Sequence, residues 1–379
     1  MGRWGRAGLV LTVLGDDAIE AYFASRPGEY FEQSIPPSYI EPYNIEVVKT
    51  HIAAMVLERG LLDLRSLPPE LREAVKAMEG EGLLRIVDSK VYGDFKRLRA
   101  YMESRGGLRS TGHLVRIYDE SEEIGFRELP EALYDLHPGA VYYHAGRPYM
   151  SVELDLEAGK AVVRRITGEI NFYTRPLYTV DVEAIKPLGE RSFGPVKLVY
   201  GEVKVTVRVE GYVVKEEGSG VTLSDVLLRR PLTWSYWTKG VAGRYPNPGI
   251  TDLTLAISSY HALEHVLITA SKPVAGVADT DLGGVSYPSG HIVIYDSSPG
   301  GNGASRLVLE RIESIARISE EIMASCTCED GCPRCVFSPY CGNNNEMLSR
   351  RGALRVLRSV LLKAAAPLEL GKPEGEPLA

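Results

Sequence analysis

No apolar run in this sequence approaches the roughly 20 residues that a membrane-crossing helix needs, so no membrane partner is expected. The opening Leu9-Val-Leu-Thr-Val-Leu14 is too short for the apolar region of a signal peptide, and no clear cleavage site follows it. Cysteine is missing from the first 325 residues. A disulfide framework suits a secreted chain, so a reducing, cytoplasmic setting is expected here. Excess positive charge is missing too. The 50 acidic residues outnumber the 43 lysines and arginines, and the net charge of −7 argues against coating nucleic acid through overall charge. What is present is ordinary for a soluble globular chain, 44% apolar and 25% charged. The length of 379 residues allows two or three domains, and no internal repeat is visible.

All five cysteines crowd into one stretch, Cys326-Thr-Cys328-Glu-Asp-Gly-Cys332-Pro-Arg-Cys335, with Cys341 following. Thiolates two to four residues apart can converge on one tetrahedral ion, and Gly331 and Pro333 supply the turns this requires. A closed set of four sulfurs favours structural zinc and leaves one cysteine spare. An iron–sulfur cluster is the rival occupant.

The fold expected is α+β and multidomain. Residues 1–38 read as a linker, with a short helix over Asp17–Ala24 and a break at Pro36-Pro37. Val47, Val48, Ile52, Met55 and Val56 recur at helical spacing, as do Leu71, Ala74, Val75 and Met78 after Pro68-Pro69. Leu83–Val87 and Lys90–Tyr92 then read as a hairpin, so 39–119 is expected to be winged-helix-like. From 120 to 225 the period changes to two, in runs such as Ala161–Ile166 and Val203–Val209, which predicts a β-rich barrel or sandwich. Residues 226–366 read as an α/β module bearing the cysteine knuckle. The tail 367–379, rich in Pro, Gly and Glu, is expected to be disordered.

Several motifs carry competing readings. From Asp94 to Arg116 six cations face two acids, and Lys96, Arg97, Arg99, Arg105 and Arg109 are the candidate phosphate contacts, a solvated helix face being the bland alternative. His261-Ala-Leu-Glu264-His265 matches H-x-x-E-H, which in some metalloproteases places two zinc ligands and a base on one helix, but no third ligand is evident. A hydrolase built on it, or a nuclease built on Asp279, Asp281 and Asp296, is the alternative function. Pro299-Gly-Gly-Asn-Gly303 could cradle a phosphate, although no Gly-Lys-Ser/Thr follows, and a tight packing turn explains it as well. Trp234, Tyr236 and Trp237 lie near Arg229, Arg230, Lys239 and Arg244, as a stacking platform for single strands would, or as core at a domain junction.

The knuckle, together with Ser338-Pro-Tyr-Cys-Gly-Asn-Asn-Asn-Glu346, His261–His265, Asp281-Leu-Gly-Gly284 and Tyr295–Gly303, resembles the C-terminal zinc-binding module of Mrf-type DEAD/DEAH-box helicases. Gly112–Ile117 and His137–Tyr142 are similar to the segment joining the family's motor to that module. The resemblance implies Cys326, Cys328, Cys332 and Cys335 as zinc ligands, with Cys341 as the alternate for Cys326 or Cys328. Gly5-Arg6-Ala-Gly8 looks like the end of the last motor motif, with Leu9 where an arginine is usual. Neither a Walker A loop nor a DEAH-type box occurs, so no ATP site is expected in this chain. The resemblance thus implies the non-motor half of a 3′–5′ DNA-repair helicase, partnered by a RecA-like motor in trans or in a longer parent chain. Its expected partner is DNA, single-stranded or at a single/double-strand junction.

Overall fold

Short polar side chains close the first turns of half of the described helices. The computed structural model describes residues 8–36, 40–105 and 111–378. Asp17 accepts from the amides of Ile19 and Glu20 and starts α1 (Ala18–Ser25), followed at once by α2 (Pro27–Glu32). Asn44 caps α3 (Ile45–Arg59) in the same way. Then come β1 (Leu62–Asp63), α4 (Pro69–Gly80), the hairpin β2 (Leu84–Val87) and β3 (Lys90–Gly93), and α5 (Phe95–Glu103) with Asp94 as its cap. β3 pairs antiparallel with both β1 and β2. Ile52, Val56, Val75, Met78, Val91 and Leu98 fill a core of their own. Helix, short strand, helix and hairpin in this order make the winged-helix-like region.

A five-stranded sheet follows, built from β4 (Leu114–Asp119), β5 (Glu122–Glu128), β6 (Val141–His144), β7 (Arg147–Asp155) and β8 (Lys160–Arg165), with the short helix α6 (Glu131–Asp135) between β5 and β6. Its order is β5-β4-β8-β7-β6, with only β4 and β8 parallel. Three long antiparallel strands come next, β9 (Phe172–Phe193), β10 (Val196–Glu216) and β11 (Thr222–Arg244). They continue the chain through α7 (Leu253–Ala275) to β12 (Leu282–Ser286) and β13 (His291–Asp296), in a second sheet of order β12-β13-β11-β10-β9. The helices α8 (Ala304–Glu310), α9 (Ile312–Ser325) and α10 (Arg350–Leu361) complete the chain.

The long sheet is a middle layer because both its faces are apolar. Val203, Val205, Val207 and Val209 of β10 alternate onto one face and share a core with Val115, Ile117, Tyr149 and Val163 of the smaller sheet. Val196, Leu198, Val241, Ile292 and Ile294 point the other way, into a core with α7, α9 and α10. At the crossing of α10 and α7 a Cβ on Gly352 would overlap the Ser259 hydroxyl, so glycine is what lets the two helices meet.

Four observations bear on the boundaries expected from the sequence. The break placed between 225 and 226 falls inside β11, which pairs with β10 on both sides of that point. Arg229, Arg230 and Pro231 look like an end of strand, but the register shift opposite Val209–Gly211 lets residues 228–231 bulge while pairing resumes at Leu232. The break between 119 and 120 likewise falls in the turn between the paired strands β4 and β5. The tail is not free. Leu368 donates to the Pro195 carbonyl, and Leu378 and Ser286 exchange backbone hydrogen bonds, so residues 367–378 lie along the sheet. The segment read as a linker also docks, through buried Ala18 and Tyr22, with the Tyr22 hydroxyl donating to Glu29 (2.7 Å) and Glu321 (3.1 Å).

His137, in the loop after α6, is wholly buried and stacked on Tyr212, with ring centroids 5.0 Å apart. Its Nδ1 donates to the Pro138 carbonyl (3.2 Å), and Nε2 has no partner among the described residues. Burial lowers its pKa to about 4, so the folded protein keeps it neutral. A folded pKa below the unfolded value means stability that is complete above about pH 6.5 and is lost as pH falls toward 4. His137→Phe should therefore be less acid-sensitive than the parent, by up to about 3 kcal/mol. Urea titrations of both proteins at pH 7.5 and 4.5 check this, and equal losses would refute it.

Candidate metal centre

The helix α9 ends at Ser325, and the chain passes into extended backbone at Cys326. From there the loop folds back on itself, with the Cys335 and Phe337 amides both donating to the Cys332 carbonyl. The Sγ atoms of Cys326, Cys328, Cys332 and Cys335 all lie within 4.8 Å of one another. Their separations are 3.5 Å for 326–328 and for 326–332, 3.4 Å for 328–335 and 3.7 Å for 332–335. A disulfide would need about 2.0 Å. One ion with Zn–S bonds of about 2.3 Å sets a tetrahedral edge of about 3.8 Å, so the donor set fits zinc. An iron–sulfur cluster spreads its thiolates over separate irons and spaces them further apart than these four sulfurs stand.

Arg350 holds the knuckle from outside. It is buried, and its guanidinium donates to the Cys328 carbonyl from Nε (3.0 Å) and Nη2 (2.6 Å), and to the Met323 carbonyl from Nη1 (2.6 Å). In the sequence Arg350 is one of several cations in a run, and nothing local marks this role. The remaining helix cations Arg351, Arg355 and Arg358 are indeed exposed.

Cys341 does not join the four. The loop after the knuckle carries it back to α7, where its Sγ lies 3.7 Å from His261 Nε2 and within 4.8 Å of a ring nitrogen of His265. The two imidazoles stand at i and i+4 on α7, fully buried, with centroids 4.5 Å apart. A carbonyl can only accept, so His261 Nδ1 donates to Met347 O (3.2 Å) and His265 Nδ1 donates to Val336 O (2.8 Å). Beside His265 sits Glu264, 2% exposed, with Oε2 3.7 Å from His265 Nε2 and without a hydrogen-bond partner among the described residues. Burial pushes this carboxyl up to about 8 and holds His265 well below its ordinary value, so the contact joins neutral groups and is no ion pair. Burial also takes His261 down to about 4 and the Cys341 thiol up to about 11. Gly284 makes room for Glu264, since a Cβ there would overlap the carboxylate. Glu264, His265 and Cys341 line a cavity of about 500 Å³, together with Tyr178, Tyr236 and Tyr295.

The three aspartates do not converge. Asp279 pairs with Lys272, and Asp281 accepts from the Ala278 amide. Asp296 is completely buried and accepts from the amides of Asn302 (3.0 Å), Gly303 (2.9 Å) and Ser305 (2.6 Å). Its own carboxylate thus occupies the Asn302 and Gly303 amides of the Pro299–Gly303 loop, so of the two readings of that loop the packing turn is the one the geometry favours. The aromatic platform divides as a strand must. Tyr236 is buried and Trp234 turns toward the same core, while Trp237 is exposed on the other face under Lys186 (4.3 Å to the ring centroid).

On α5, Lys96, Arg97 and Arg99 are exposed. Arg97 also donates to the Gly82 carbonyl (3.1 Å). Arg105 is corrected: 7% exposed, it pairs with Glu46 at 2.8 Å and lies over the Tyr101 ring, so it is turned away from any ligand. Arg109 and Arg6 lie outside the described residues.

Residues 263–336 match the MrfA Zn-binding domain family. The chain is similar to the uncharacterized ATP-dependent helicase YprA of Bacillus subtilis (strain 168), at 25% identity over 361 residues, 88% of this chain and 46% of the helicase. It is also similar to the uncharacterized protein MJ1572.1 of Methanocaldococcus jannaschii, at 34% over 110 residues, 27% of this chain and 98% of that protein. Its fold is like that of the DUF1998 helicase MrfA in a crystal structure, with a TM-score of 0.54 at 20% identity, covering 85% of this chain and 46% of the other. The chain spans about half the length of the helicases it matches.

Proposed function

Because this chain belongs with the Mrf-type helicases, as their C-terminal, non-motor half including the zinc-binding module, we propose that it is the DNA-gripping accessory half of an ATP-dependent helicase of the DNA-repair type. The observation that carries the reading is the extent of the helicase match, which reaches far beyond the zinc module to 88% of the chain. In this reading the winged-helix-like region meets the DNA, single-stranded or at a junction, and a RecA-like motor in the parent chain or in trans drives it. Lys96, Arg97 and Arg99 project from one short helix into solvent, where they can neutralise phosphates without reading sequence. A local patch of this kind is what a chain of net charge −7 needs in order to bind a polyanion.

Zinc bound by Cys326, Cys328, Cys332 and Cys335 would supply a rigid cross-link at the end of α9. The chain's own residues extend that link. Arg350 ties the Cys328 and Met323 carbonyls to the start of α10, so the knuckle is fixed between two helices that both pack on α7.

Anisotropy titrations of labelled single-stranded and junction DNA over a range of salt test the reading. Lys96→Ala/Arg97→Ala/Arg99→Ala should weaken binding to all sequences alike and reduce the slope of log K against log salt by roughly 0.7–0.9 for each phosphate no longer neutralised. Binding that ignores salt, or a slope unchanged in the variant, would refute it.

A further inference from the structure

We propose that His261, His265 and Cys341 form a second metal site, of zinc type, distinct from the four-cysteine centre. The three donors come from two separate elements, α7 and the loop that follows the knuckle, and meet in a fully buried position. Zinc held at about 2.0–2.1 Å from an imidazole nitrogen and 2.3 Å from a thiolate, at a tetrahedral angle, places that nitrogen and sulfur about 3.6 Å apart. His261 Nε2 and Cys341 Sγ stand at 3.7 Å.

The surroundings are those of a ligating set. Both imidazoles donate Nδ1–H to backbone carbonyls, which fixes the tautomer with the Nε2 lone pairs free to bind metal. The Asn345 amide donates to Cys341 Sγ at 3.2 Å, a contact that stabilises a thiolate. The thiol also donates to Asn343 Oδ1 (2.8 Å), and once metal has displaced that proton the Asn343 amide must turn its NH2 toward the sulfur. A second, independent feature is Glu264. Its buried Oε2 has no hydrogen-bond partner among the described residues and lies 3.7 Å from His265 Nε2, in reach of a fourth coordination position or of a water held there. Two nitrogens and one sulfur suit a borderline-soft divalent ion, zinc above all, with cobalt able to stand in for it. The site opens on the cavity of about 500 Å³ through Glu264, His265 and Cys341. It also explains why the fifth cysteine stands apart from the other four, and His261 and Cys341 both fall outside the span 263–336 that matches the zinc-binding domain. Bound metal would tie the loop to α7 independently of the knuckle.

The test uses the whole chain loaded separately with zinc and with cobalt. Metal analysis should give two ions per chain, and X-ray absorption at the zinc edge should show imidazole nitrogen beside sulfur. His261→Gln/Cys341→Ser should carry one ion, in an all-sulfur shell, and the cobalt-loaded variant should lose the absorption bands of the mixed site. One ion per chain in the unaltered protein, in a purely sulfur shell, overturns the proposal, and that measurement decides the matter even if the variant fails to fold.

Discussion

Changing Cys328 and Cys332 to serine together is expected to abolish zinc binding at the knuckle and to unfold the segment that follows α9. Two thiolates cannot close a tetrahedral site, and at pH 7 structural zinc contributes apparent binding free energies of about 10–16 kcal/mol in zinc-finger peptides. Apart from the metal and Arg350, little else holds this loop. Cys326, Cys328 and Cys332 are only partly buried, and the turns rest on a few backbone bonds to the Cys332 carbonyl. The damage should spread along one path. The Cys328 carbonyl accepts two of the three hydrogen bonds that the buried Arg350 guanidinium makes, so a displaced loop strands a buried charge at the start of α10. Metal analysis and limited proteolysis of parent and variant check this. We expect the knuckle's zinc to be lost and cleavage to appear between residues 326 and 350, while residues 45–103, with their separate core, stay resistant. Unchanged zinc with unchanged protease resistance would refute the assignment, and so would iron in its place.

What the sequence revealed of this molecule follows the range of the forces involved. The knuckle was legible because its ligands are local, four cysteines within ten residues. The helices of the winged-helix-like region were legible because Ile52, Val56, Val75 and Met78 mark a single buried face at helical spacing. Long-range partners were not. Arg105 reads as one more cation until Glu46, 59 residues earlier, removes it from solvent. Cys341 reads as a spare ligand for the knuckle until the loop carries it to His261, 80 residues upstream. A signal was there to be used, since five cysteines exceed one tetrahedral site by one and H-x-x-E-H lacked a third donor. The length of β11 was hidden by Arg229-Arg-Pro231, which composition cannot distinguish from a break. The split of the aromatic cluster was within reach, because once 222–244 is a strand, period two sends Tyr236 and Trp237 to opposite faces.

Replacing Asp296 by alanine is expected to cost about 3–5 kcal/mol of stability, because this carboxylate belongs to the fold rather than to a nuclease centre. It ends β13 and reaches across the Pro299–Gly303 loop to the amides of Asn302, Gly303 and Ser305, which lead into α8. Burial raises its pKa while the three amides pull it down, so the group is held by the donors that a bound phosphate would otherwise take. Removing it leaves three inward-facing N–H groups without an acceptor, each worth about 1–3 kcal/mol when buried. It also removes the negative charge that favours the helix start. Asparagine can still accept through its carbonyl oxygen, so Asp296→Asn should lose less than half as much. The loop itself is placed by the Asn44 amide, which donates to the Pro299 carbonyl at 2.8 Å and to the Gly301 carbonyl at 2.6 Å. Collapse of the loop would therefore loosen the start of α3 and reach the winged-helix-like region. Urea denaturation of the three proteins decides between the roles. The graded loss, parent over Asn over Ala, is the structural outcome, whereas an alanine variant as stable as the parent would return Asp296 to the chemistry of a site.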